Sequence, residues 1–140
     1  MSAIVRCITF LILSAVCGES TSSIPEAAEP LKPSHLLASA DVYDGQQIQA
    51  AGLLYFDVEA RQLWDSKKAM NAGASWRDCL TLVGTRRFLA TLSALSRREV
   101  VIEGIYRAHI YAGKKVIDLG MCNDAGIEVL NVRGADAADR

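Results

Sequence analysis

Aromatic and cationic side chains are the residues of this chain best suited to chemistry. Trp64, Trp76, Tyr55, Tyr106 and Tyr111 are interleaved with Arg61, Lys67, Lys68, Arg77 and Arg107. Flat rings stack on bases or sugars and cations pair with anionic groups, so this set is suited to holding a ligand rather than transforming it. Trp76 and Arg77 follow Gly73 and Ser75 in a stretch of loop composition, where an indole either stands open to a partner or serves to pin the loop. Trp64 follows strand alternation, so packing is its competing reading. His109, between Arg107 and Tyr111, reads either as a ligand contact at a loop rim or as an exposed strand residue. The candidate ligand-binding residues are Trp76, Tyr55, Arg61, Lys67, Arg77, Tyr111 and His109.

Catalytic patterns are missing from the sequence. There is no Gly-x-Ser-x-Gly elbow, and most serines fall near the N-terminus, beside Trp76 or in a helical stretch. Asp57 and Glu59 sit where a hairpin turn calls for acidic residues, and Glu103 falls on a solvent-facing strand position. No glycine-rich phosphate loop occurs. With two histidines far apart and no Cys-x-x-Cys or His-x-x-x-His, neither a metal nor another cofactor is expected. The expectation is a protein that is not an enzyme.

These residues must be positioned by one domain, because 140 residues with 51% hydrophobic and 22% charged side chains suit one core. Fifteen Lys and Arg against sixteen Asp and Glu give a formal charge of -1. That balance offers a phosphate backbone no global attraction, which disfavours nucleic acid as a partner. Residues 1–18 have the layout of a signal peptide: a short segment with Arg6, an apolar run from Cys7 to Val16, then small residues. The run is too short to cross a ~30 Å hydrocarbon core as a helix, so no stable membrane span is expected. Leu13 to Cys17 also resembles a bacterial lipobox, which would make Cys17 a lipidation site, although Val16 and Ser14 depart from its pattern. The chain is therefore expected to be exported, periplasmic or secreted, with an outer-membrane lipoprotein as the alternative. Residues 19–33 read as a flexible linker, 34–132 as the domain and 133–140 as a polar tail.

Within the domain, Ser34 is a helix N-cap for a short helix to Ala40, and Asp44-Gly45 makes a turn. Ile48, Ala50, Gly52, Leu54 and Phe56 then fall on one face of a long strand, which predicts a hairpin with a second strand over residues 61–66. Residues 67–77 read as a loop and 79–83 as a third strand. Phe88, Leu89, Leu92 and Leu95 recur with helical spacing, giving an amphipathic helix over residues 85–96 capped by Thr85. Residues 100–111 form a fourth strand, 115–121 pair back as a fifth after the Ala112-Gly113-Lys114 turn, and 127–132 add a further strand or a continuation. Gly52 and Gly104, each four residues after a β-branched strand position, point to a bulge, sharp coiling or close backbone approach.

Tyr43-Asp44-Gly45-Gln46, the Ile48 to Leu54 strand and the Val100 to Tyr106 strand resemble segments of small exported bacterial OB-fold proteins of uncharacterised periplasmic or lipoprotein-like type. The resemblance covers roughly residues 41–132 and rests on hydrophobic spacing plus glycine. It implies a mainly β fold: a five-stranded OB-fold-like barrel with one amphipathic helix between strands three and four. In that topology the third strand lies beside the fifth, which makes a Cys79–Cys122 disulfide the pairing implied, two separate buried thiols being the alternative. The fold presents oligonucleotides, oligosaccharides or proteins to the face of its second and third strands. The leading expectation is a non-enzymatic exported binding module for a protein, peptide or glycan in the cell envelope. The alternatives are a single-stranded nucleic-acid-binding OB-fold protein or an enzyme with an unrecognised site.

Overall fold

The computed structural model describes residues 29–72, 78–113, 122 and 124–136. The signal peptide, Cys17, most of the linker, Trp76, Arg77, the strand expected at 115–121 and the end of the tail lie outside the described residues.

The elements are α1 (Pro33–Ala38), α2 (Ala40–Tyr43), β1 (Gln47–Phe56), β2 (Arg61–Trp64), α3 (Lys67–Asn71), β3 (Cys79–Val83), α4 (Arg86–Ala94), β4 (Glu99–Arg107) and β5 (Gly126–Gly134). The strands close into a barrel in the order β1-β2-β3-β5-β4, with β4 returning to β1. β3 and β5 run parallel, and the other pairings are antiparallel. This is the closed five-stranded barrel of the OB-fold, with α4 between the third and fourth strands as expected.

Alternation along β1 decides which side is inside. Ile48, Ala50 and Leu54 are buried in a core completed by Leu63, Leu80, Leu82, Val100, Ile102, Tyr106, Ile127, Val129 and Val132. Leu36 of α1 and Leu92 of α4 join the same core, which is why both helices stay against the barrel. Gly52 and Gly104 occupy positions where a β-carbon would collide with the carbonyl oxygens of Trp64 and Glu128, so strand separation there requires glycine. At Gly104 the β4–β5 register also slips: Glu103 faces Asn131 and Gly104 faces Val129, leaving Leu130 as the extra, exposed residue of a bulge.

Several boundaries differ from expectation. The first helix begins at Pro33, a residue preset for the first helical position, with Lys32 at the N-cap. Ser34 is not the cap; its amide and hydroxyl both donate to Asp65, at 2.7 and 2.6 Å, so a carboxylate just after β2 caps α1 from a distance. Residues 67–71, read as loop, form α3 because the Ser66 hydroxyl accepts the Ala69 amide. Thr85 stands at the N-cap of α4, but its side chain makes no capping bond. β4 ends at Arg107, where residues 108–110 turn, and the strand beside β4 is β5 at 126–134.

Candidate nucleic-acid interface

Outside the barrel core a second, smaller cluster covers the outer face of β1, β2 and β3. Leu53, Trp64, Cys79 and Cys122 form it, with Tyr55, Ala69 and Met70 packed against them. Trp64 is 5% exposed, so its large ring is buried, but against the sheet exterior rather than in the barrel. Its indole N–H donates to the Gln62 side-chain oxygen at 3.0 Å, and Gln62 is itself only 3% exposed. Burying that amide is tolerable because it has a partner. Cys79 and Cys122 are joined in a disulfide with Cα atoms 5.4 Å apart. Cys79 opens β3, and Cys122 lies in the connection that precedes β5.

Tyr55 is the half-buried edge of this cluster, and the Arg97 guanidinium lies 6.0 Å from its ring centre. Arg97 is held there by its backbone. It follows α4 in the left-handed region, φ 65°, where side chains other than glycine are disfavoured by roughly 1–2 kcal/mol. Hydrogen bonds on both sides enforce that conformation: Arg97 N–H donates to the Leu54 carbonyl at 2.7 Å, and Leu54 N–H donates to the Arg98 carbonyl at 3.0 Å. Ser96 adds a third tie, its hydroxyl accepting the Phe56 amide and donating to the Phe56 carbonyl. Lys67 and Lys68 are exposed on α3, whose Ala69 and Met70 pack on the cluster.

Strand pairing continues this face around the barrel. Tyr55 pairs with Gln62, Gln62 with Thr81, Thr81 with Gly126 and Gly126 with Arg107, one residue from each strand. At ~4.8 Å per strand the row runs ~19 Å along the curved sheet. At its far end, Asp44, Arg107, His109, Ile110, Ala112 and Glu128 line a cavity of about 400 Å³. Arg107 pairs with Glu128 at 3.3 Å, His109 Nδ1 donates to Asp124 at 2.8 Å, and the Ala108 amide donates to Asp44 at 2.9 Å.

The predicted site residues thus divide. Tyr55 and Lys67 lie around the outer cluster; His109 lines the cavity, with the half-buried Tyr111 in the same connection after β4. Arg61 opens β2 opposite Phe56, on the sheet face opposite to Tyr55. Tyr106, grouped with the binding aromatics by composition, is fully buried in the barrel, where burial and then Asp44 and Asp41 push its phenol up to about 12. Sequence reasoning missed Arg97, Asp44 and Glu128. The helix-terminal position of Arg97 was the one available signal, and arginine concealed it where glycine would have announced it.

No protein-family model matches the chain, and no curated protein matches it. Among solved structures it is similar to asparaginyl-tRNA synthetase from Pyrococcus horikoshii complexed with asparaginyl-adenylate, at 16% identity and a TM-score of 0.42 over 77% of this chain and 22% of that one. A second structure of the same synthetase gives 16% identity and a TM-score of 0.40 over 67% and 20%. The chain therefore spans about a fifth of those synthetase chains, and the likeness is one of fold. Two expectations are corrected against these neighbours, which are tRNA synthetases: the envelope module for a protein, peptide or glycan, and the exclusion of nucleic acid. The physical error lay in net charge. A balance of -1 averages over the whole surface, whereas a single strand is held locally by stacking and a few cations.

Proposed function

We propose that this chain is a non-enzymatic single-stranded nucleic-acid-binding module, using the edge of the outer β1–β2–β3 face marked by Tyr55, Arg97 and the α3 lysines. One observation carries the reading: the half-buried Tyr55 ring beneath an Arg97 held in place by strained backbone, beside a cluster bordered by the α3 lysines. A ring and a guanidinium so arranged offer a base a stacking surface and its phosphate a cation, without reading sequence. The use of this face is by analogy with OB-folds generally. Export to an oxidising compartment is part of the proposal, supported by the Cys79–Cys122 bond and by the apolar run before Cys17.

The test is titration of a fluorescent twelve-nucleotide thymidine oligomer across ~50–300 mM salt. Three cations, Arg97, Lys67 and Lys68, predict a log–log slope of about -2. Tyr55→Ala is expected to weaken binding about 5- to 100-fold through the lost stack. Arg97→Gly removes the cation while relieving the backbone, so it weakens binding and leaves the fold more stable than Arg97→Ala does by about 1 kcal/mol. No binding at ~50 mM salt, or a slope near zero, overturns the reading.

A further inference from the structure

The cavity at the foot of the β4–β5 connection lies at the other end of the residue row that begins at Tyr55, and its chemistry differs from that of the stacking platform. Asp44 comes from the turn before β1, Arg107 closes β4, His109, Ile110 and Ala112 follow it, and Glu128 lies in β5. The turn is tied to β4 by Gly45 N–H donating to the Tyr106 carbonyl and Tyr106 N–H donating to the Gln46 carbonyl, both at 2.9 Å. Ile110 N–H donates to the Asp124 carbonyl at 2.8 Å, which pins the opposite wall. These bonds make a preformed concavity with one buried apolar residue, Ile110, and several polar groups.

Charge excludes a phosphate from it. Among the described residues, Asp44 and Glu128 line the cavity and Asp124 backs His109, against the one guanidinium of Arg107, which Glu128 already pairs. A neutral ring suits it better, and the polar groups specify which edge of that ring. One Asp44 oxygen accepts the Ala108 amide, so the other is an acceptor for a ligand N–H. Arg107 engages Glu128 through Nη2, while Nη1 lies against Gly45 beside Asp44 and supplies donors. An acceptor beside a donor fits a ligand edge with an amino group next to a ring-nitrogen acceptor, which cytosine and adenine carry. Uracil and hypoxanthine carry the reverse, and would set a carbonyl oxygen against the Asp44 carboxylate.

We infer that this cavity is a base-recognition subsite selecting amino-bearing bases, cytosine or adenine, over their deaminated counterparts, an inference that rests on the nucleic-acid reading above. The test measures the full chain against oligomer pairs that differ only by deamination: one cytosine against uracil, and one adenine against hypoxanthine, each in a thymidine background. The amino-bearing member is expected to bind about 5- to 50-fold more tightly, and which pair shows the larger ratio separates cytosine from adenine. Asp44→Asn, which keeps an oxygen for the Ala108 amide, is expected to abolish the ratio without weakening the uracil oligomer. Arg107→Gln is a second route to the same loss, with circular dichroism showing that each variant folds. Equal affinities within both pairs overturn the subsite while leaving the stacking face intact. If no oligomer binds, the stacking face falls and the free nucleosides decide the subsite. A shift of the Ala108 amide resonance with cytidine or adenosine, but not with uridine or inosine, sustains it, and no shift overturns it.

Discussion

Replacing Tyr106 by phenylalanine should stabilise this protein. Tyr106 alternates inward with Ile102 and Gly104 on β4, faces Ile127 of β5 across the barrel wall and is 0% exposed. Its hydroxyl has no hydrogen-bond partner among the described residues. A buried, unpartnered hydroxyl costs roughly 1–3 kcal/mol in desolvation, while deleting the oxygen loses only its few dispersion contacts of ~0.1–0.2 kcal/mol each. Tyr106→Phe is therefore expected to gain about 1 kcal/mol at pH 7. The same environment makes the wild-type protein alkali-sensitive. The folded-state value is about 12 against an ordinary 10.0, so the contribution of the neutral phenol is complete below pH 10 and is lost as pH rises through about 12. Two units correspond to at most about 2.7 kcal/mol. Solvent screening of the exposed Asp41 and Asp44 reduces this to about 1–2 kcal/mol. Urea unfolding at pH 7, 10 and 11 reads both effects, and the advantage of the phenylalanine variant should widen above pH 10. A variant less stable than wild type at pH 7 by more than about 0.5 kcal/mol would refute the reasoning, because it would mean that the hydroxyl is usefully bonded in the folded protein.

Asp65→Ala should cost about 2 kcal/mol, since both Ser34 bonds go to that carboxylate, and Ser34→Ala less because the amide bond survives; chemical denaturation of the two variants orders them. Opening the Cys79–Cys122 bond, by reduction or by replacing both residues with serine, should lower stability by about 2–4 kcal/mol given a sequence separation of 43. The barrel should survive, because the disulfide belongs to the outer cluster and not to the barrel core. Far-ultraviolet circular dichroism retained alongside a lower urea midpoint would be that result, and complete unfolding on reduction would contradict it.

Local rules succeeded where one face of an element meets one core. β1 was legible because Ile48, Ala50 and Leu54 recur at every second position on one face, with Gly52 between them, and α4 because its apolar positions repeat at helical spacing. The two strand glycines announced close approach for the same reason, a missing side chain where one was expected. Alternation cannot say which of two apolar faces is inside, and so Trp64, apolar and strand-borne, was compatible with a core that it does not join. The end of β4 was hidden because β-formers continue to Tyr111, which drew the fifth strand to the nearest turn signal instead of the parallel partner of β3. The cavity was illegible for another reason. Asp44, Arg107 and Glu128 are neighbours only through turn geometry and strand pairing, and no spacing along the sequence records that.

The short bridge between Leu31 and Ala50 has a consequence for solubility. β1 is ten residues long, yet β2 pairs with only Leu53 to Phe56, so on that side the first half of β1 would present unpaired backbone groups. The chain just before α1 fills part of this gap: Leu31 N–H donates to the Gln49 carbonyl and Ala51 N–H donates to the Leu31 carbonyl, at 2.8 and 2.9 Å. An open strand edge is a template for another molecule's strand, and a barrel is protected from such pairing only as far as its rim is covered. Trimming the chain to begin at the helix would therefore leave the barrel core in place but uncover a sticky edge. Self-association would then be the first symptom of that truncation, ahead of any loss of fold.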